Sequence, residues 1–162
     1  MMALFHRRER SPVIDGLEHG ERIVSWADTA DGDVVAATQL GLWWPGPRRI
    51  GWQRIDKAIW RDGTLTVIEA DLVDDLLLVD RAPVSARLTT PRDLPPTVRK
   101  RVEGNIVRTE LVSVPGGAVR FVARRQPGRD GVDWWAHLEG ETPDSETVRS
   151  AIAARLAILR SS

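Results

Sequence analysis

Histidines and carboxylates are the side chains through which this sequence could carry acid–base or metal chemistry. His6, His19 and His137 lie far apart along the chain, in an expected arm, a turn and a strand. Metal binding or acid–base catalysis would need them to converge with carboxylates. Alternation along residues 132–139 predicts one strand face made of Asp133, Trp135, His137 and Glu139. We interpret His137 as a partly exposed strand residue; a deep polar pocket holding it with two carboxylates would favour an enzyme instead.

Other residue patterns that carry chemistry are incomplete. The chain has no cysteine, which excludes disulfides, thiolate nucleophiles and cysteine-based metal sites. Asp71, Asp74, Asp75 and Asp80 lack the spacing of a calcium loop, so we expect a solvated acidic loop. Gly116-Gly117 precedes no helix and predicts a hairpin turn, not a phosphate loop. We therefore expect no enzymatic activity, no metal and no cofactor.

Tryptophan is the unusual residue of this composition, with seven copies and no tyrosine. Trp26, Trp52 and Trp60 fall in predicted strands, where we expect them in the core. In the pairs Trp43-Trp44 and Trp134-Trp135, neighbouring residues must point to opposite strand faces. We expect Trp44 and Trp135 to be the outward members, available as contact residues.

The net charge of zero conceals two oppositely charged halves. Residues 1–80 hold nine Lys/Arg against fourteen Asp/Glu, and residues 81–162 hold fourteen against nine. The halves should therefore face each other, within one chain or between copies. The basic residues of the second half are either a solvated face or an anion-facing surface. With the tryptophans, the candidate binding surface comprises Trp44, Trp135, Arg99, Lys100, Arg101, Arg108, Arg120 and Arg124.

The elements that must position these residues are mostly strands. Residues 1–16 have no hydrophobic period and are expected to form a flexible arm. Six or seven short strands at intervals of roughly ten residues follow, with hairpin turns predicted at Asp31-Gly32 and Asp62-Gly63. Residues 94–106 show a helical period, with Val98, Val102 and Ile106 inward. Three further strands end in a helix whose expected N-cap is Thr142 and whose stripe is Val148, Ile152, Leu156 and Leu159.

This order resembles the pleckstrin-homology-like (PH-like) barrel, including GRAM and bacterial PH domains, and especially small actinobacterial proteins with such a barrel. The similar segments are Gly20-Glu21-Arg22-Ile23-Val24, Ala37-Thr38, Ile50-Gly51-Trp52-Gln53-Arg54-Ile55 and Leu65-Thr66-Val67. The resemblance implies an α+β fold in which residues 17–108 form a PH-like β-barrel of six or seven strands with a capping helix. Residues 109–162 would add a three-strand extension and a C-terminal helix packed on it. The first hairpin is acidic, so the family's lipid head-group site is not expected.

The function expected from these features is a non-catalytic interaction or scaffold module that binds a protein or peptide partner. The alternative is a nucleic-acid-binding protein that uses the basic second half. No segment has the length of a membrane span or the order of a signal peptide, so a cytoplasmic location is expected. A homodimer that pairs the opposite charges is a further possibility.

Overall fold

The computed structural model describes residues 10–162, so most of the predicted arm lies outside the described residues. Its α+β class is as expected: a large, mostly antiparallel sheet of 11 strands and two helices. The strands are β1 Ile23–Thr29, β2 Val34–Thr38, β3 Gly41–Trp44, β4 Arg48–Gly51, β5 Ile55–Arg61, β6 Thr64–Val73, β7 Leu77–Asp80, β8 Val84–Thr90, β9 Ile106–Val114, β10 Gly117–Arg125 and β11 Val132–Glu139. The helices are α1 Leu94–Asn105 and α2 Glu146–Arg160.

Tight hairpins set the local registers. Asp62 and Gly63 adopt φ values of 50° and 76° between β5 and β6, the left-handed pair that a two-residue turn requires. Asp74 and Asp75 also have left-handed φ values, 53° and 55°, in the turn between β6 and β7. The Asp-Gly turn at residues 62–63 is thereby confirmed, whereas the Asp-Asp turn has no glycine and was expected to be a loop.

The sheet is an open path. Its order is β4-β3-β2-β1-β8-β6-β7-β11-β10-β9, with β5 paired to β6 outside the path. The sheet has β4 and β9 at its ends and is not closed, so the expectation of a closed barrel is not met. The pairing of β7 with β11, which we call the seam, joins two parts of the sheet. From here on, the first half of the fold is β1–β8 with α1, and the second half is β9–β11 with α2. The seam is the parallel ladder of the sheet and registers Ala136 with Leu77.

Two main hydrophobic cores lie on either side of the seam. The first packs Leu94, Val98 and Val102 of α1 against β1–β6 and β8. The second packs α2 against β9–β11 and β7, through the predicted stripe Val148, Ile152, Leu156 and Leu159. Leu77 of β7 belongs to this second core, so the core boundary does not follow the chain order. Within residues 10–162, neither helix is long and apolar enough to cross a membrane.

The start of α2 differs from the expected one. Ser145 is the N-cap, and its hydroxyl accepts a hydrogen bond from the Val148 N–H at 3.1 Å. Thr142 is instead buried beside β10, where its hydroxyl receives the Ala118 N–H at 2.9 Å. Pro143 therefore precedes the helix rather than opening it. Sequence alone did not separate the two hydroxyls, because both precede the apolar stripe by a few residues.

Candidate functional site: a basic cleft beside the first helix

Oppositely charged residues of the two halves meet across the seam. Asp56 of β5 lies 3.5 Å from a guanidinium nitrogen of Arg120 on β10. Asp74, in the β6–β7 turn, pairs with Arg149 of α2. Its neighbour Asp75 lies 3.8 Å from Arg160. These contacts place the facing of acidic and basic halves within one chain, one of the two arrangements that the charge distribution predicted.

A cleft of about 680 Å³ opens between α1 and the loop that follows β10. Thr97, Lys100, Arg101 and Gly104 line it from the helix. Residues 125–131 line the opposite wall. Trp52, Gln39 and Val24 complete the lining from the first half. The lining is mostly polar, so the cleft suits a hydrated or charged ligand better than an apolar one.

The charge of this cleft is one-sided. Lys100, Arg101, Arg125 and Arg129 line it, against a single carboxylate from Asp130. Among residues 10–162, none of these four cations takes part in an ion pair, whereas most other arginines do. Unneutralised cations around a concavity produce a positive potential that attracts anions.

Asn105 fixes the relative position of the two walls. It is the last residue of α1 and is buried. Its amide nitrogen donates to the Arg125 carbonyl oxygen at 2.7 Å, and its amide oxygen accepts from Arg124 at 3.4 Å. These hydrogen bonds connect the end of α1 to β10 at the cleft. Lys100 and Arg125 therefore lie on two regular elements whose relative position is fixed. The charge arrangement is thus largely formed without a ligand.

A second polar group, the acid–histidine cluster, consists of Asp56, Asp80 and His137 and includes residues from both sides of the seam. Ligand atoms of the three residues all lie within 4.8 Å of one another. Asp56 occupies a β-bulge, since the β5–β6 register shifts between Ile55 and Lys57. Bulges re-aim side chains. Here the bulge lets Ile55 and Ala58 both pack towards the first core while Asp56 reaches the second half.

Burial and neighbouring charges perturb the cluster's protonation. Burial, a hydrogen bond to Asp56 and repulsion from that carboxylate raise the pKa of Asp80 to about 6. Although burial opposes ionisation of Asp56, three neighbours hold its pKa below the usual value: the hydrogen bond with Asp80, the His137 ring in its protonated form and the charge of Arg120. Burial lowers the pKa of His137 to about 4, with help from Arg120 and against the pull of Asp56. At neutral pH the imidazole is neutral and Asp56 is ionised.

The convergence of His137 with two carboxylates corrects the interpretation of this residue from sequence. His137 is only 4% exposed, so it is not a partly exposed strand residue. Its Nε2 atom is buried without a hydrogen-bond partner, 4.0 Å from Asp56 Oδ1. The cluster does not line the cleft or the two smaller cavities at Trp60 and Trp43. The residues that would favour an enzyme, a histidine with two carboxylates, therefore do converge.

Three members of the predicted binding surface lie at the seam rather than on an accessible face. Trp135 is 9% exposed and lies between guanidinium groups, with Arg160 4.9 Å and Arg54 6.0 Å from its ring centre. Arg124 is 1% exposed. Arg120 is half-buried and divides its ion pairs between Asp56 and Glu139. The expectation that Trp135 and Arg124 are exposed is wrong, because this strand face packs on the first half.

The remaining predicted residues are distributed over separate surfaces. Lys100 and Arg101 line the cleft, as described. Arg99 lies on the other flank of α1, paired with Glu103 at 3.0 Å. Arg108 is exposed on the edge strand β9. Trp44 is half-buried against the first core, so it is not the freely outward member of its pair.

Trp60 is more exposed than the sequence predicted. It was expected in the core but is 42% exposed. It lines a second groove of about 460 Å³, together with Ile59, Pro95 and Pro96. Trp43, the neighbour of Trp44, is buried because its indole N–H donates to Glu21 at 2.9 Å and its ring packs against Gly16. Arg125 and Arg129, which line the cleft, are missing from the predicted binding surface, because nothing in the sequence distinguished them from the other basic residues of the second half.

Comparison with known proteins adds no relative. No protein-family model, no curated protein and no solved structure matches this chain.

Proposed function

We propose that this protein is a non-catalytic interaction module that binds an acidic segment of a partner protein in the cleft beside α1. The observation that carries the proposal is the set of four unpaired cations, Lys100, Arg101, Arg125 and Arg129, around one concavity. Carboxylate side chains of the partner would pair with these guanidinium and ammonium groups.

A protein segment fits the cleft better than a nucleic acid does. Single-stranded nucleic acids gain affinity from exposed aromatic side chains on which bases stack. Trp52 is the aromatic residue of the cleft lining, and it is buried with its indole bonded to the Thr38 carbonyl at 2.9 Å. Trp135, which the nucleic-acid alternative would have used for stacking, is buried at the seam. The cleft therefore has positive charge but no exposed aromatic side chain on which bases could stack.

Fluorescence anisotropy with a labelled peptide rich in Glu and Asp tests this proposal. Binding should be strong at low ionic strength and should weaken as salt screens the charges. The double variant Lys100→Glu with Arg129→Glu reverses two cations of the cleft and should weaken binding at least about tenfold, which corresponds to about 1.4 kcal/mol. Arg87→Glu is the matched control, because Arg87 is exposed on β8 and does not line the cleft.

The same experiment separates the competing functions. A single-stranded oligonucleotide that binds more tightly than the peptide, and loses affinity in the cleft variant, would establish the nucleic-acid alternative instead. Equal affinity of the cleft variant and the Arg87 variant would show that the attraction is a general surface effect. Charge reversal of Arg120 or Arg124 is not a suitable test, because both contribute to the seam.

We further propose that residues 17–108 are an open variant of the PH-like arrangement. The meander from β1 to β4, the pairing of β1 with β8 and the helix α1 on the first core support it. A crystal structure that superposes poorly on PH-like domains would overturn it. A cytoplasmic location and a homodimer stay predictions; fractionation of cells and sedimentation equilibrium, respectively, would test them.

A further inference from the structure

We propose that Asp56, Asp80 and His137 bind one divalent transition-metal ion, of the class of Zn²⁺, across the seam. The inference is independent of the proposed binding function, because the cluster does not line the cleft. It also contradicts the expectation from sequence that the chain has no metal site. Two carboxylates and one imidazole are a ligand set that Zn²⁺ and related ions accept, with a fourth position left for water.

The orphaned nitrogen of His137 is the observation that points to a ligand. A buried polar atom without a partner is costly, and most such atoms in proteins are satisfied. His137 Nε2 faces Asp56 Oδ1 at 4.0 Å, too long for a hydrogen bond. Around a tetrahedral ion with bonds of about 2.1 Å, two ligand atoms lie about 3.4 Å apart. A movement of less than about 1 Å would therefore bring the pair to a metal-binding separation.

The surrounding charges permit a cation at this place. Two positive groups compete with an ion here. Buried Arg124 interacts electrostatically with Asp56 and Asp80, and Arg120 lies 3.5 Å from the same Asp56 oxygen. Arg120 holds a shorter contact with Glu139, at 2.7 Å, and would keep that partner when Asp56 turns to the ion. Asp80 lies at the exposed end of β7, so an ion could enter from solvent beside it.

The position of the ligands implies what the ion would do. Asp56 and Asp80 belong to β5 and β7, whereas His137 belongs to β11. The ion would therefore connect the two halves of the sheet where the parallel ladder registers Ala136 with Leu77. Because a folded chain holds these ligands together and an unfolded one does not, binding stabilises the folded protein.

Cobalt absorption and thermal unfolding test the site directly. The full chain, stripped with a chelator, is titrated with Co²⁺ and then with Zn²⁺. We expect a visible Co²⁺ absorption band that saturates at one equivalent and disappears when Zn²⁺ displaces it. We also expect the midpoint temperature of unfolding to rise with Zn²⁺. His137→Gln should abolish the band, and Asp80→Asn, at an exposed position, should weaken Co²⁺ binding at least about tenfold.

His19→Gln is the control, because this histidine lies in an exposed turn. It should leave both the band and the temperature shift unchanged. A wild-type protein with no absorption band, or a band that persists in both His137→Gln and Asp80→Asn, would overturn the proposal. The cluster would then be a polar contact between the halves, or the ion would be adventitious.

Discussion

The buried imidazole of His137 should make the folded protein sensitive to acid. Its pKa is depressed from 6.5 to about 4, so its contribution to stability is complete above about pH 6.5 and is lost as pH falls towards 4. That separation corresponds to about 3 kcal/mol lost by pH 4. The residue is nearly inaccessible to water, which leaves little screening to reduce this figure. Charged or titratable groups face it from four strands: Asp56, Asp80, Arg120, Arg124 and Glu139.

The assay compares the wild type with His137→Gln, in the presence of a chelator. Urea unfolding from pH 7 to pH 4 should show the wild type losing about 3 kcal/mol more than the variant. His19→Gln should follow the wild type, because that side chain is exposed. In an NMR titration, the His137 ring protons should stay at their neutral shifts down to about pH 5. A His137 midpoint near 6.5, or parallel pH profiles of wild type and His137→Gln, would refute the reasoning.

Three further predictions concern other groups of the fold. Asp80 has a raised pKa of about 6, so the stability it contributes is complete below pH 3.8 and is lost as pH rises through 6; Asp80→Asn should flatten that decline in urea unfolding. Gly41→Ala would place a Cβ 2.4 Å from the Ile50 carbonyl oxygen and should cost about 2 kcal/mol or more in thermal unfolding, whereas Gly104→Ala meets no atom within 4 Å and should gain about 0.5–1 kcal/mol. An unaltered midpoint in Gly41→Ala would contradict this close packing. Ser145→Ala should cost about 1 kcal/mol by the same measurement, and no loss would show that the cap contributes nothing.

Local patterns were sufficient for much of the fold. The stripe of α2 was read correctly because its spacing follows the helix period and nothing else competes with it. The Asp62-Gly63 hairpin followed from backbone chemistry at two positions. The helix period also predicted correctly that Lys100 and Arg101 lie outside the core, opposite the apolar stripe of α1.

Long-range pairing is what the sequence could not supply. The contact of β7 with β11 joins segments more than fifty residues apart and buries the strand face that carries Trp135. A single bulge at Asp56 changes which residues of β5 face inward, and no residue type in that segment predicts the bulge. The site was missed for both reasons, since Asp56 and His137 meet only through that bulge and that pairing.

The seam also bears on how the chain avoids aggregation. When the second half is detached, β7 becomes an edge strand and Leu77, fully buried in the complete fold, is uncovered. Unpaired edges with apolar side chains recruit strands from other molecules. Asp74 and Asp75 precede this strand in the β6–β7 turn, and Asp80 is its last residue. Asp74 and Asp75, which pair with arginines of α2 in the folded protein, would together with Asp80 repel a second exposed edge of the same kind in a partly folded chain.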